Sequence, residues 1–418
     1  MSDEVQSATV TQLNEFDPLS PAFARDPYKI YQQLRALDRP HYFAPHDANL
    51  LARYDDVVAV ATNPAMVRSL KGYESATEAA ERQRRANWHD MPYHERVVQF
   101  SLLDSDGDVH RRLRKLVFGD LTSRSIAGLE AEVRTYVVRL LDGIKDRDEF
   151  DFIADFAAHI PGHIIGRLLG CPAEDAPQLR LWSEQVVQFF DVDRTAQKKA
   201  LAETATRDFY HYLEHLKAER TRHPKDDLIS KMLLDERAGR YTPDEFISTC
   251  MLLLMAGHGS TIDVLGSGMH TLLKHPDAMA QLRADQSLLP NAIQEIFRYE
   301  PPLPFFHRHA LEDVTIRGHY YPAGTTFGLL YSAANRDEAQ FERPDEFDIH
   351  RTPNRHLAFG MGAHLCLGNH LARLNMRVIF EELFVRTSTI EGVGGETTYK
   401  PGLSVRGPLA LPVRLAFR

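Results

Sequence analysis

Cysteine is scarce in this 418-residue chain: there are three, at positions 171, 250 and 366, with no Cys-x-x-Cys pair. So sparse a set excludes a disulfide framework and a zinc ribbon, and it fits a reducing, cytoplasmic setting. Basic residues are not in excess. Lys and Arg number 49 against 58 Asp and Glu, a net charge of −9. No overall field therefore draws the chain to nucleic acid or to an anionic membrane. Long apolar runs are missing as well. The longest in the middle of the chain, residues 250–256, falls far short of the ~20 residues that a spanning helix needs. The N-terminal stretch MSDEVQSATVTQLNEFDPLS is polar and acidic, without the basic flank and apolar run of a signal peptide. No repeat, low-complexity tract or linker stands out. The expectation is a chain with no membrane form and no nucleic-acid partner.

What is present is ordinary globular material, 43% hydrophobic and 26% charged, enough for a large core. Residues 1–25 read as a polar arm and 26–418 as a single domain. Residues 26–37 form an amphipathic helix pattern. Residues 41–61 alternate around turns as a small sheet does. Residues 74–98 are charged without a clear period and read as a loop. Helical patterns dominate from about 109 to 300. Residues 242–275 look like one long apolar helix, capped by Thr242 with Pro243 in the first turn and Glu245 three residues after the cap. Strand-like alternation returns at 312–332. Residues 333–365 are irregular, a last helix covers 368–386, and short strands close the chain. The fold class is mainly α with small β-sheets (α+β).

One segment carries chemistry: Phe359-Gly360-Met361-Gly362-Ala363-His364-Leu365-Cys366-Leu367-Gly368. Its paired glycines allow a tight turn with positive φ. The cysteine then falls at the start of a helix, where negative charge is favoured, so a thiolate is stabilised there. That suits a metal ligand or a nucleophile; a structural cysteine in a glycine-rich loop has the same local pattern.

Phe359, Gly362, Cys366 and Gly368 fill every fixed position of Phe-x-x-Gly-x-x-x-Cys-x-Gly, and the loop resembles the haem-binding loop of the cytochrome P450 family. The resemblance implies a haem b (iron protoporphyrin IX) lying between a long central helix and this loop, with Cys366 as metal ligand. It also implies that Phe359 shields the sulfur and that Gly368 lets the last helix pack closely. An axial thiolate pushes electron density onto iron and favours O–O cleavage. Further matches follow in the family's order. Glu295-x-x-Arg298 places two charges on one helix face, and the resemblance adds Arg351 as the third member of a buried network. Residues 334–337 with Phe341, Pro344 and Phe347 resemble the meander that supplies it. His110 and Arg114, at i,i+4, point the same way. With Arg308 and His364 they match the family's haem-propionate contacts.

The resemblance weakens on the oxygen side. Ala256-Gly257-His258-Gly259-Ser260-Thr261 is similar to the family's oxygen-binding segment, in which Gly257 would open a groove for oxygen. Gly259 replaces the family's acid and Ser260 its first threonine, while Thr261 follows as usual. Water or the substrate would then complete proton delivery. Asp263, one turn on, is a candidate substitute or a solvated residue. His258 is expected to pack or hydrogen-bond against a neighbouring helix.

By the same resemblance the substrate pocket comprises Leu252, Met255, Ala256, Pro304, Phe305, Phe306, Phe189, Phe190, Leu403, Ser404 and Val405. This mostly apolar set implies an apolar small organic substrate, with residues 74–98 as cover. No flavin or iron–sulfur motif is fused to the chain. Electrons are expected from NAD(P)H through a ferredoxin reductase and a ferredoxin. Arg111, Arg112, Lys115, Arg355, Arg373 and Arg377 are the candidate docking face. The leading expectation is a soluble bacterial monooxygenase. The alternative is a haem-thiolate enzyme of atypical chemistry, peroxide-driven or coupling two substrate atoms. A non-enzymatic haem binder ranks below both.

Overall fold

Thr242 caps the helix Pro243–Ala256 as a capping box. Its Oγ accepts the Glu245 N–H at 3.2 Å, and the Glu245 carboxylate accepts the Thr242 N–H at 2.9 Å. The computed structural model, which describes residues 13, 16–99 and 101–418, breaks the expected long helix at Gly257-His258 and resumes it as Gly259–Lys274. Two glycines flanking one residue weaken the helix. The His258 ring also wedges so tightly against Gly162 that a Cβ there would lie 2.1 Å from it. His258 is buried and its Nδ1 has no hydrogen-bond partner. The packing half of that expectation therefore holds, and the hydrogen-bonding half does not. By length and composition residues 243–274 pass for a membrane span, but 72% of the most apolar window is buried inside the protein.

Around this broken helix one large apolar core gathers Val133, Ile164, Phe209, Leu254, Ile296 and Phe380, each from a different helix. The helices Gly107–Phe118, Leu289–Tyr299 and Asn369–Arg386 carry most of the candidate site. A five-stranded sheet stands beside them, in the spatial order His41–Phe43, Ala48–Leu51, Thr326–Leu330, Phe305–Ala310, Met66–Val67. Arg308 pairs with Phe327 in its antiparallel ladder. A three-stranded sheet joins the C-terminal strand Pro412–Phe417 to Thr387–Gly392 and Phe150–Asp151.

Three local readings are corrected. Residues 74–98 are mostly helical, as Ala76–Arg85 and Pro92–Gln99. The first of these buries no side chain, so it has no apolar period to read; its start is a Ser75–Glu78 capping box. Residues 54–62, expected in a sheet, form a helix behind strand Ala48–Leu51. Within the expected arm, Ser20 caps a short helix, Pro21–Arg25, and Phe23 is buried beside Tyr31 and Leu34. Residues 1–12, 14 and 15 of that arm lie outside the described residues.

Candidate active site

The cysteine loop is built on two left-handed glycines, Gly360 at φ +67° and Gly362 at φ +74°. A Cβ at Gly362 would also meet the Ala61 carbonyl at 2.6 Å. The turn brings the Cys366 N–H to the Phe359 carbonyl at 2.8 Å. Cys366 is exposed. The protein around its thiol nonetheless desolvates it and pushes it up. The N–H groups of Gly368 and Asn369 and the guanidiniums of Arg114 and Arg373 oppose that shift. Phe359 packs against Phe297, ring centroids 4.5 Å apart, with Arg373 over its face at 4.3 Å. At Gly368 a Cβ would meet no atom within 4 Å beyond its chain neighbours.

Beside the loop, four basic side chains converge. His110 lies against His364, ring centroids 4.3 Å apart. Arg114, one turn later, donates to the Leu365 carbonyl at 2.7 Å, so the i,i+4 pair does point one way. His364 Nε2 sits 3.1 Å from Asp106 Oδ1. Asp106 was missed in the sequence. It precedes the His110 helix and also accepts the N–H groups of Arg68 and Ser69; its place four residues before His110 was the available signal. Arg308 is buried, and its hydrogen bond goes to a neutral acceptor, the His307 carbonyl, at 2.8 Å. No carboxylate among the described residues pairs with it. Burial holds Arg308 down to about 10 and, with the neighbouring cations, His110 down to about 4. The cluster is thus poor in compensating negative charge and suited to an anionic ligand.

Below it Glu295 and Arg298 are fully buried and joined by two hydrogen bonds of 2.7 Å. Arg351 Nε reaches Glu295 at 3.2 Å, and the Asp348 N–H and Asn354 amide complete the acceptor's shell. The expected three-member network is brought together.

On the central helix Ser260 Oγ donates to the Ala256 carbonyl at 3.1 Å. Ala256 is itself exposed, although the residues just before it, Leu253, Leu254 and Met255, are buried, and Thr261 is buried. Gly257 is closely packed. A Cβ there would meet Ile165 and the Leu253 carbonyl, each at 3.0 Å. At Gly259 a Cβ would meet nothing within 4 Å. Asp263 is not solvated. It is buried and ion-paired to Lys400 at 2.6 Å.

The expected pocket is only partly assembled. Strand alternation sends Phe305 and Phe306 to opposite faces. Phe305 stacks on His46 and shares a cluster with Leu403, whereas Phe306 packs with Tyr331 and Arg68. Phe189 is core, fully buried with Met91 and Ala202. Leu252, Met255 and Phe190 border the main core, and Pro304 is buried. Ser404 and Val405 are half-buried, the N–H of Ser404 held by Asp191. The candidate docking face is depleted, because Arg112 pairs with Glu245 and Arg377 with Glu130 and Glu381. Arg111, Lys115 and Arg355 are exposed.

The family model described as Cytochrome P450 matches residues 176–400. A biotin biosynthesis cytochrome P450 of Bacillus subtilis is 33% identical, covering 94% of this chain and 97% of that protein. This chain belongs to the cytochrome P450 family. The cytochrome P450 monooxygenase PikC of Streptomyces venezuelae is 34% identical over 94% of this chain and 92% of its own length. The crystal structure of P450BioI, in complex with an acyl carrier protein carrying hexadec-9Z-enoic acid, superposes with a TM-score of 0.87. It is 30% identical and covers 94% of this chain and 100% of that one. The chain is therefore an oxidoreductase with the P450 fold. Membership implies a haem, and the donor set fits one: an accessible thiol backed by N–H groups beside a buried cation without a carboxylate partner.

Proposed function

We propose that this P450 oxidises an apolar small organic molecule in the cytoplasm, with Cys366 as the ligand to the haem iron. Electrons come from NAD(P)H through a separate ferredoxin reductase and ferredoxin. The observation that carries the reading is Cys366 itself, exposed at the end of its glycine turn with two backbone N–H groups facing its thiol. Bound haem supplies oxygen activation, with the thiolate as electron-donating ligand. His110, Arg114, Arg308 and His364 hold the propionates by charge-assisted hydrogen bonds. Phe359, pinned between Phe297 and Arg373, keeps water from the proximal side. Ser260 holds its hydroxyl proton on the Ala256 carbonyl, so proton delivery would fall to water or the substrate. Leu252, Met255 and Ala256 form the apolar wall; an apolar substrate is supported by P450BioI, solved in complex with an acyl carrier protein ligated to hexadec-9Z-enoic acid.

One observation favours a second reading, peroxide-driven or oxidative-coupling chemistry: Gly259 carries no acid, and Asp263 is committed to Lys400. Two measurements on purified protein test these proposals. The reduced, carbon monoxide-bound spectrum should be thiolate-type and should change in Cys366→Ser; an imidazole-type spectrum in the parent sinks the ligand assignment. Product formed with ferredoxin, reductase and NADPH, compared with hydrogen peroxide alone, decides between the two chemistries.

A further inference from the structure

The segments that the family resemblance assigns to the roof of the proposed pocket, residues 88–94 and 189–194, pack together through Trp88, Phe189 and Phe190 and are not apolar throughout. Arg194 lies over the Trp88 ring at 5.3 Å. It donates only to main-chain carbonyls, those of Phe189, Phe190 and Ala86, at 3.1, 3.3 and 3.4 Å. Among the described residues no carboxylate pairs with it. Asp191, whose field reaches Arg194, instead takes the N–H groups of Val192, Leu403 and Ser404. Burial accordingly holds Arg194 down to about 10. Around this cation, buried polar atoms lack partners: Trp88 Nε1, His46 Nε2 and His94 Nε2. The field of Arg194 reaches both histidines, and with burial it keeps them neutral. His94 is an acceptor here. Its Nδ1 donates to Thr206 Oγ1, whose own proton goes to the Ala202 carbonyl. Its free Nε2 therefore suits a hydroxyl and stays outside the anion site. Trp88 has a donor only, and neutral His46 can present one.

A cation hydrogen-bonded only to carbonyls, though within the field of Asp191, with an indole N–H and an imidazole that lack partners, makes a receptor for an oxyanion. We infer that the substrate is an amphiphile whose anionic end, a carboxylate or phosphate, is held by Arg194 and Trp88 with His46 beside them, while its apolar body runs toward Cys366. The inference rests on the proposed pocket above Cys366 and adds a charged end to the apolar substrate proposed for it.

The test uses the haem-loaded protein and three probes with one alkyl chain: dodecanoate, dodecan-1-ol and monododecyl phosphate. Binding is read by calorimetry and, independently, by the ferric spin-state shift. Dodecanoate or the phosphate should bind at least about tenfold tighter than the alcohol, the worth of a charge-assisted hydrogen bond. The tighter of the two names the anion. Arg194→Gln should abolish that preference and leave alcohol affinity within about twofold. Because Arg194 also ties together three carbonyls, Trp88→Phe is the second variant. It keeps the ring, removes the N–H and should lower the preference several-fold. No anion preference in the parent, including no binding of either anion, overturns the inference. So does a preference that survives in Trp88→Phe. A thiolate-type carbon monoxide spectrum without anion preference sinks this inference alone; an imidazole-type spectrum sinks the Cys366 reading, whatever calorimetry finds.

Discussion

Lys400 Nζ donates to Asp263 Oδ1 at 2.6 Å, tying the buried second half of the central helix to a loop 137 residues away. Asp263 Oδ2 has no partner, and a Cβ at Gly407 would lie 2.4 Å from Oδ1. The carboxylate is thus enclosed and depends on one ammonium group.

Lys400→Met is expected to destabilise the protein by about 2 kcal/mol at pH 7. That is less than a fully buried pair costs, because the lysine is part-exposed. Burial already holds Asp263 above its ordinary range, and Lys400 opposes that shift. A raised folded pKa contributes stability below the unfolded value and loses it as pH rises. Losing Lys400 raises it further, so the gap between variant and parent should narrow toward pH ~4. Urea unfolding at several pH values checks this; a gap independent of pH contradicts it.

Glu295→Gln should cost about 3–5 kcal/mol, since it strands Arg298 and Arg351 as buried cations. Urea unfolding midpoints and soluble yield measure it. A midpoint equal to the parent's would mean that the main-chain acceptors of Arg298, the Asn335 and Pro344 carbonyls, suffice alone.

Arg308→Leu should speed haem loss roughly 10- to 100-fold, the worth of a hydrogen bond between charged partners. Haem transfer to excess apomyoglobin reads the rate. An unchanged rate would remove Arg308 from the propionate contacts.

Gly259→Asp and Gly162→Ala make a contrasting pair. The first adds a side chain where a Cβ meets nothing, the second where it meets His258 at 2.1 Å. Gly259→Asp should fold within about 1 kcal/mol of the parent and raise product formed per NADPH. No change in that coupling counts against a proton-relay role for this position. Gly162→Ala should cost about 1–3 kcal/mol by overpacking, read by thermal unfolding.

Much of the proximal half was legible. The Thr242 cap, the glycine pair at 360 and 362, and the common direction of His110 and Arg114 follow from dihedral preference and helical period. Each depends on neighbours within a few residues. The broken helix at Gly257-His258 was not legible, because the apolar pattern continues on both sides of it and the wedge partner, Gly162, is distant in sequence. The helix Ala76–Arg85 escaped the periodicity reading because it buries nothing, although Ser75 and Glu78 announced it.

By itself, then, the sequence determined the glycine turn before Cys366, the shared face of Glu295 and Arg298 and the Thr242 cap, because local geometry and residue chemistry specify them; Arg351 entered only through the family resemblance. Only the tertiary structure decided which partner each remaining group meets. It gave Asp263 to Lys400, set Gly257 against Ile165, stacked Phe305 on His46, and left Arg194 with only main-chain acceptors among the described residues. Pairings across a hundred or more residues are set by how whole elements pack, and no local period in the sequence records them.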